Sequence, residues 1–168
     1  MGITKIKFKI RPVSQKDKEW VRNFIIKEWG SERSVSRRKI YYPHQLPGFV
    51  AIKNKKYLGL ITYHIEKNAI EIITMNSILK RRGIGKALVE RVTKVAKKSG
   101  CQRIWLVTTN DNLDALIFWQ KIGFFVKAVH PNAMSFSRKL KPEIPEIGNY
   151  GIPIRDEIEL EKIINKIF

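Results

Sequence analysis

The sequence predicts a fold of the α/β (α+β) class, built as one domain around a hydrophobic core. The chain has 168 residues and 43% of them are hydrophobic, which is enough for one such core. Three strand-like runs, at 49–53, 57–66 and 69–77, are joined by short turns, and this pattern predicts an antiparallel meander. Helix-like and strand-like patterns alternate on both sides of the meander, so helices are expected to flank the sheet.

The region before the meander is predicted to hold a strand, a helix and a long loop. Residues 3–10 alternate between basic and apolar side chains, as in a strand. Ser14 is a suitable N-cap for a helix that continues to about Trp29, where Gly30 supplies the stop. Residues 31–48 include two prolines and show no period, which predicts a long irregular loop. A loop of this length in a compact domain is often functional.

After the meander, helices and strands are predicted to alternate. Ile84, Leu88, Val92 and Val95 recur on one side of a helix at 85–99, which Gly100 would end. The elements that follow are a strand at 103–108, a helix at 112–122 and a strand at 124–129.

The last 28 residues, 141–168, have no clear place in this order of elements. We predict that residues 1–140 form the domain and that residues 141–168 are a C-terminal arm and helix that pack on it. Prolines and glycines indicate the extended arm. The sequence RDEIELEKIINKIF at 155–168 predicts a terminal amphipathic helix.

Positive charge is the strongest compositional signal. The chain carries 33 Lys and Arg against 15 Asp and Glu, a formal net charge of +18. This excess predicts an anionic ligand, an anionic partner such as nucleic acid, or both. Residues 1–140 hold 29 basic and 9 acidic side chains, whereas residues 141–168 hold 4 and 6. The acidic arm is therefore expected to dock on the basic body.

Several classes of protein are disfavoured. Cys101 is the single cysteine, so no internal disulfide is possible, and no cysteine and histidine residues have metal-ligand spacing. No metal site is predicted. No run approaches the length of a membrane span, and the N-terminal residues lack the apolar core of a signal peptide. These features favour a protein of the reducing cytoplasm with no membrane partner.

The stretch SILKRRGIGKALVERV, at 77–92, places three basic residues before a Gly-Ile-Gly step and a helix. It does not match the nucleotide P-loop, and Leu88 stands where a dinucleotide fingerprint needs its third glycine. Glycines let the backbone approach an anion closely, and the N–H groups and dipole of a helix N-terminus favour negative charge. The stretch therefore suits a pyrophosphate. A tight turn on a solvated basic face would give the same pattern.

A second stretch, NDNLDALIFWQKIGF at 110–124, favours the pyrophosphate site over the simple turn. With KRRGIG, it resembles the GNAT superfamily of N-acetyltransferases over about residues 1–130. The family's phosphate loop reads Gln or Arg, two residues, Gly, one residue, then Gly or Ala, and KRRGIG matches except for its first lysine. The second signature is Asn, two residues, Ala, three residues, usually Tyr, three residues, then Gly-Phe. Its positions are taken here by Asn112, Ala115, Trp119, Gly123 and Phe124.

The resemblance implies the GNAT fold, in which a mixed, mostly antiparallel central sheet is flanked by helices, and acetyl-coenzyme A as cofactor. In this family the pantetheine arm lies between the fourth and fifth strands, here 69–77 and 103–108. The amide of Met75 then takes the place of the oxyanion donor, and the pyrophosphate rests on the glycine loop. The cofactor-binding residues implied in this way are Met75, Asn76, Ser77, Lys80, Arg81, Arg82, Gly83, Ile84, Gly85, Lys86, Asn112 and Trp119.

Glu71 is the carboxylate predicted to be catalytic. On a regularly alternating strand it would point the same way as Ile73 and Met75, onto an otherwise apolar face. Burial there would raise its pKa toward the range useful to a general base. Some family members use a glutamate at the matching position in this role. The alternative is that Glu71 only pairs with a nearby lysine or arginine.

The general acid is not identified by the resemblance, because Trp119 stands where the family often has a tyrosine. The leaving thiolate would then be protonated by water or by Tyr41, Tyr42 or Tyr63, or it would need no acid. A catalytic role for His64 or His44 is a weaker hypothesis.

The sequence as a whole predicts an N-acetyltransferase that transfers the acetyl group of acetyl-coenzyme A to a primary amine by direct attack in a ternary complex. The alternative is a non-catalytic acyl-CoA-binding or nucleic-acid-binding module on the same fold. The loop at 31–48 mixes basic and aromatic residues, and we expect it to border the acceptor site. Three roles are open to the arm: a seventh strand, a cover for the acceptor site, or a contact with a second subunit. A monomer and a homodimer are both compatible with the sequence.

Overall fold

The structure is a computed structural model, and it describes residues 6–164. Its strands are β1 (Lys9–Pro12), β2 (Ser34–Ser36), β3 (Lys39–Tyr41), β4 (Gly48–Lys53), β5 (Lys56–Glu66), β6 (Ala69–Ser77), β7 (Arg103–Thr109), β8 (Phe125–His130) and β9 (Glu157–Ile163). Its helices are α1 (Lys18–Trp29), α2 (Ile84–Lys98), α3 (Leu113–Lys121) and α4 (Ala133–Leu140). Short 3-10 helices lie at Gln15–Asp17, Pro43–Gln45 and Asn149–Gly151.

Seven strands form one twisted sheet in the order β1-β4-β5-β6-β7-β9-β8. The pair β6 and β7 is parallel, and the other neighbours in this sheet are antiparallel. The predicted meander is β4, β5 and β6. The predicted class, a mixed and mostly antiparallel sheet flanked by helices, is confirmed.

Each face of the sheet carries its own hydrophobic cluster. On one face, Val21 and Ile25 of α1 pack with Val50 and Leu60. On the other, α2 packs on the sheet through a larger cluster, and the predicted apolar side of that helix lies in it. The members of that side are Ile84, Leu88, Val92 and Val95. We call these the α1 face and the α2 face of the sheet.

The predicted terminal helix is wrong, because the C-terminal segment forms strand β9. This strand inserts between β7 and β8 and pairs with both. Leu160 lies in the α2-face core, whereas the neighbouring Glu161 bonds with Arg103. This alternation has the period of a strand, and pairing on both sides satisfies the backbone of β9. Residues 165–168 of the predicted helix and 3–5 of the predicted first strand lie outside the described residues.

The predicted irregular loop at 31–48 is also wrong in part, because it contains the hairpin β2–β3. Its two turn residues, Arg37 and Arg38, have φ of 45° and 68°. This left-handed conformation is typical of a two-residue hairpin turn, but it is usually adopted by asparagine and glycine. The turn is held from outside, since Arg37 pairs with Glu157 at 3.0 Å and Arg38 stacks on the Phe136 ring at 4.9 Å.

A buried carboxylate fixes the start of α1 against the sheet. Asp17 is 1% exposed and accepts hydrogen bonds from the Arg11 guanidinium at 2.6 and 2.8 Å, from Tyr57 at 2.6 Å, and from the amide and hydroxyl of Ser14. The Arg11 bonds are the main reason that the pKa of Asp17 lies well below its ordinary value. The charged form of Asp17 is therefore the one that stabilises the fold.

We expect Asp17→Asn to lower the free energy of unfolding at neutral pH by about 2–3 kcal/mol, because several donors lose a buried ionic acceptor. A carboxylate with a lowered folded-state pKa stabilises above its unfolded pKa, and that contribution is lost as the pH falls. Wild type should therefore lose stability on acidification more steeply than the variant in urea titrations. Asp114→Asn is the control and should change stability little, because Asp114 is exposed and the bond that it accepts from Tyr150 is exposed as well.

Candidate active site

The site is centred on the point where β6 and β7 separate. Their parallel register covers Ala69 with Arg103, Ile70 with Ile104, and Glu71 with Trp105. Beyond Glu71 the two strands diverge, while β6 continues to Ser77. The sheet is thus split over the second half of β6, and a split of this kind leaves strand backbone groups available to an extended ligand.

A β-bulge in β6 changes which way its side chains point. Tyr63 of β5 pairs with Ile72, but the preceding Thr62 pairs with Thr74, so Ile73 is an extra residue. Met75 consequently lies on the α2 face, where its sulfur is next to Gly85. Glu71 lies on the opposite, α1 face. The prediction that Glu71 and Met75 point the same way is therefore wrong.

The predicted phosphate loop leads into the N-terminus of α2. Gly83 caps the helix with φ of 76°, a left-handed conformation that suits glycine, and a Cβ at this position would meet no described atom within 4 Å beyond its chain neighbours. The first intrahelical bond runs from the Ala87 amide to the Gly83 carbonyl, at 3.0 Å. The amides of Ile84, Gly85 and Lys86 precede that bond, so they have no acceptor within the helix.

The charges around this helix N-terminus are those of an anion site. Lys80, Arg81 and Lys86 are exposed, and Arg82 is half-buried. No acidic residue occupies the first turn of α2. Cations at a helix N-terminus are unfavourable toward the helix dipole, and a bound pyrophosphate would reverse that effect. The residues present therefore fit the diphosphate of coenzyme A.

Gly85 has a different role from the one that its motif suggests. It is buried, and a Cβ there would lie 3.1 Å from the Phe118 ring and 3.4 Å from the Met75 sulfur. A side chain at this position would thus crowd the protein core between α2, α3 and β6.

We expect Gly85→Val to destabilise the fold by about 1–3 kcal/mol through overpacking against Phe118 and Met75. It should weaken coenzyme A binding through a displaced helix N-terminus. Thermal melting without ligand measures the first effect. Gly100→Val is a comparison at the far end of α2, where open space surrounds a left-handed glycine, so its cost comes from backbone strain alone. Full retention of stability in Gly85→Val would contradict this packing.

A cavity of about 530 Å³ lies on the α1 face at the split between β6 and β7. We call it the central cavity. Its walls come from the end of α1, from β2, from the separated parts of β6 and β7, from α4 and from the arm that follows α4. Lining residues from these elements are Trp29, Ser34, Val35, Ile73, Val107, Asn112, Met134, Lys141 and Glu157. The arm thus forms one wall of the cavity, in addition to supplying β9.

Glu71 lies beneath the hairpin β2–β3, next to this cavity but not in its wall. It is 5% exposed, and its two oxygens accept hydrogen bonds from the Ser36 hydroxyl and, at 3.0 Å, from the Tyr41 hydroxyl. Burial is the main cause that raises the pKa of Glu71, and the two hydroxyls partly oppose it. Both direct partners of Glu71 within residues 6–164 are thus hydroxyl groups, which is contrary to the alternative of a lysine or arginine pair.

Glu157 is a candidate that the sequence analysis missed. It is 2% exposed at the start of β9, lines the central cavity and raises the pKa of Glu71 by charge repulsion. Glu157, Glu159 and Glu161 alternate along β9 and share the face of Glu71. Glutamates at every second position are typical of a strand, and this pattern could have identified Glu157 from the sequence. It was missed because the segment was predicted to be a helix.

The other residues predicted to bind the cofactor lie in different parts of the structure. Asn112 caps α3 through a 3.3 Å bond from the Ala115 amide, and it lines the central cavity. Asn76 accepts a bond from the Trp29 indole at 3.4 Å, and the Ser77 hydroxyl donates to the Leu79 carbonyl. Trp119 is 4% exposed in the α2-face core, between two phenylalanine rings. Its contact with the cofactor stays a prediction.

The tyrosines and histidines considered as proton donors or catalytic residues also lie in different parts of the structure. Tyr63 lies in the α2-face core, and burial raises its pKa. Tyr42 is 38% exposed and its ring meets that of His44. His64 borders a second cavity of about 250 Å³ that Glu71 also lines. None of the tyrosines in the described part of the chain lines the central cavity.

Separated strands, a basic helix N-terminus and a cavity beside them are the features expected of a protein that binds an extended, phosphate-bearing ligand along a sheet strand. A family model described as the acetyltransferase (GNAT) family matches residues 15–124. The chain belongs to this family and is an acetyltransferase that depends on acetyl-coenzyme A, as the resemblance implied. In the described residues, no helix is long and apolar enough to cross a membrane.

Known proteins resemble the chain over nearly its whole length. The uncharacterized protein YdhI of Bacillus subtilis is 42% identical over 93% of this chain and 98% of its own length. An IAA acetyltransferase from Bacillus cereus has the same fold, with a TM-score of 0.73 and 23% identity, over 94% of this chain and 99% of that one. A GNAT acetyltransferase from Elizabethkingia anophelis, solved with acetyl-CoA bound, aligns with a TM-score of 0.66 and 19% identity over 93% and 97% of the two chains.

Proposed function

We propose that the protein is an N-acetyltransferase, in which a primary amine in the central cavity directly attacks the acetyl group of acetyl-coenzyme A. The observation that carries this proposal is the position of the cavity. It opens at the split between β6 and β7, and carboxylates rather than lysines and arginines dominate its wall, despite the formal net charge of +18. Glu28, Asp111, Glu143 and Glu157 line it, against Lys141 alone. Arg33 and Arg37 pair with Glu143 and Glu157, whereas Glu28 and Asp111 have no ion pair within residues 6–164. These two carboxylates favour a cationic amine in the cavity.

In this proposal the cofactor lies along β6. Acetyl-coenzyme A supplies the acetyl group as a thioester. The backbone of Met75, Asn76 and Ser77 holds the pantetheine arm, and the amides of the first α2 turn hold the pyrophosphate. Lys80, Arg81 and Lys86 add charge that amides lack. The Met75 amide donates to the oxyanion that develops during attack.

A protonated acceptor must lose a proton before it attacks, and we assign that step to Glu71. Because neither Glu71 nor Ser36 lines the central cavity, we route the proton through a water molecule and the Ser36 hydroxyl, which donates to Glu71. The water accepts the amine proton and passes a proton to Ser36, as the hydroxyl proton of Ser36 moves to Glu71. The raised pKa of Glu71 makes it a stronger base than an ordinary glutamate. Burial and the Glu71 charge raise the pKa of Tyr41, so this second partner keeps its proton.

The departing thiolate takes its proton from solvent in this scheme. Tyr63 and Trp119 lie in the α2-face core, on the other side of the sheet from the central cavity, so we assign neither of them as the proton donor. Tyr41 already donates to Glu71. Coenzyme A thiol is acidic enough that a water donor suffices near neutral pH, by analogy with the ordinary thiol pKa of about 8.5.

The test is an amine panel. Purified protein is incubated with acetyl-coenzyme A and one amine at a time, and free thiol is measured, with product mass as confirmation. Amino acids, polyamines, aminoglycosides and peptides with free N-termini or lysines form the panel. Thiol release that depends on one class, with acetylated amine as product, is expected. Tight cofactor binding without amine-dependent release from any member would favour a non-catalytic acyl-CoA-binding module.

A further inference from the structure

Lys141 is a largely buried lysine whose ammonium has no direct partner among residues 6–164. It follows α4 directly, is 7% exposed and lines the central cavity. Its backbone bonds with Ser137 and Ile144, whereas its side chain has neither a hydrogen bond nor an ion pair with this part of the chain. Its Nζ is not among the fully buried polar atoms, so the ammonium keeps an accessible surface while most of the side chain is covered. A largely buried ammonium without a charged partner in direct contact is available to a ligand in the cavity.

The charges around Lys141 leave this end of the cavity positive. The side chains that act on it electrostatically are Glu143 and Arg33. Arg33 already donates to both oxygens of Glu143, at 2.9 and 3.3 Å. Two cations therefore share one carboxylate. Burial and Arg33 lower the pKa of Lys141, whereas Glu143 raises it. An incoming anion would balance the excess charge and supply the missing acceptor.

The arm holds Lys141 in this position. The guanidinium of Arg138, on the last turn of α4, donates to the carbonyls of Ile144, Pro145 and Ile154, at 3.3, 2.8 and 2.6 Å. These bonds tie α4 to two separate stretches of the arm, one at residues 144–145 and one at Ile154. They therefore hold in place the cavity wall that contains Lys141. A fixed wall is a feature of a preformed ligand site.

We propose that Lys141 binds a carboxylate of the acceptor, so that the substrate is a small molecule with both a primary amine and a carboxylate, such as an amino acid. This inference rests on the proposed function, because it names the acceptor class of that site. The cavity of about 530 Å³ is in the size range of small-molecule sites. Its carboxylates suit the ammonium of such a molecule, and Lys141 suits its acid group.

The test compares each amino acid with its own carboxamide as acceptor, which removes the carboxylate charge and keeps the amine. Wild type should prefer the amino acid in kcat/KM by about 10-fold or more, the usual scale of a hydrogen bond to a charged group. Lys141→Met should lose this preference and retain acetyl-coenzyme A affinity. Lys141→Arg should keep part of it. Lys139→Met, an exposed position two residues earlier, is the matched control and should behave as wild type.

A binding measurement gives a readout that does not depend on turnover. Titration calorimetry with the N-acetylated amino acid, the product, should show affinity that falls about 10-fold or more in Lys141→Met, with melting curves to verify folding. If carboxamides and amino acids react equally in both proteins, the inference about Lys141 is overturned and the proposed function stands. If no amine is acetylated by wild type, the proposed function itself fails.

Discussion

Glu71→Gln is expected to lower kcat by about 100-fold or more while leaving acetyl-coenzyme A affinity unchanged, because an amide cannot take the proton that Ser36 passes on. The pKa of Glu71 is raised by burial, so wild-type activity should fall on the acidic side at a higher pH than an ordinary glutamate would cause. Below that pKa Glu71 is protonated and inactive as a base. The acidic limb of the pH–rate profile should disappear in the variant.

Two further glutamates make this prediction specific. Glu159→Gln is the matched control, since Glu159 shares the sheet face of Glu71 but bonds with Arg103 and His130. It should keep wild-type kcat. Glu157→Gln should raise KM for the amine more than it lowers kcat, because Glu157 lines the cavity and is already paired with Arg37. If Glu157→Gln removes the acidic limb and Glu71→Gln keeps it, the base is Glu157.

The second large effect is expected at the phosphate loop. Replacing Lys80, Arg81 and Lys86 together with alanine should weaken acetyl-coenzyme A binding by about 30-fold at low salt, at roughly 0.7 kcal/mol for each exposed charge. The loss should shrink as salt rises, since exposed charges are screened. Binding of S-acetylpantetheine, which has no pyrophosphate, should not change. Calorimetry at several salt concentrations measures both ligands.

The opposite end of α2 supplies a matched control for this variant. Lys94, Lys97 and Lys98 are exposed there, and their joint replacement by alanine changes the net charge by the same amount. That control should bind acetyl-coenzyme A nearly as wild type does. Equal losses in the two triple variants would mean that the overall positive charge attracts the cofactor, and that the α2 N-terminus has no special role.

The core elements could be predicted because their local signals agree with their packing. The α1 and α2 helices have glycine near their ends and an apolar side, and the meander has turn residues between strands of the expected length. Gly30, for example, ends α1 in a left-handed conformation with φ of 74°, as its position predicted. At such positions the local sequence is sufficient to predict the structure, and contacts with distant residues are not needed for the prediction.

The errors arise where distant contacts override the local pattern. The Arg37-Arg38 turn has no residue that favours positive φ, and it is held by Glu157 and Phe136, about a hundred residues away in sequence. In β9, glutamates occupy alternate positions, and their charge is compensated by cations on other strands, as Arg103 and Lys127 compensate Glu161. The residues next to the turn and next to β9 in sequence do not indicate these distant partners.

The candidate site was predicted in part for the same reason. Its glycine loop and Asn112 belong to short motifs, whereas Glu157 and Lys141 come to the cavity only through the arm and β9. The extra residue Ile73 leaves no mark in the sequence of β6, yet it moves Met75 to the face opposite Glu71. A single bulge therefore separates the predicted base from the side chain of the residue whose amide we assign to the oxyanion.

A crystal structure with coenzyme A and an acetylated product tests the central proposal most directly. We expect the pantetheine arm along Met75, Asn76 and Ser77, the pyrophosphate on the amides of Ile84 to Lys86, and the sulfur facing the central cavity. The acetylated nitrogen should lie on the side of the cavity lined by Ser34 and Val35, within reach of the Ser36 hydroxyl through one water. A sulfur directed away from the cavity, or a product bound on another surface, would contradict the account.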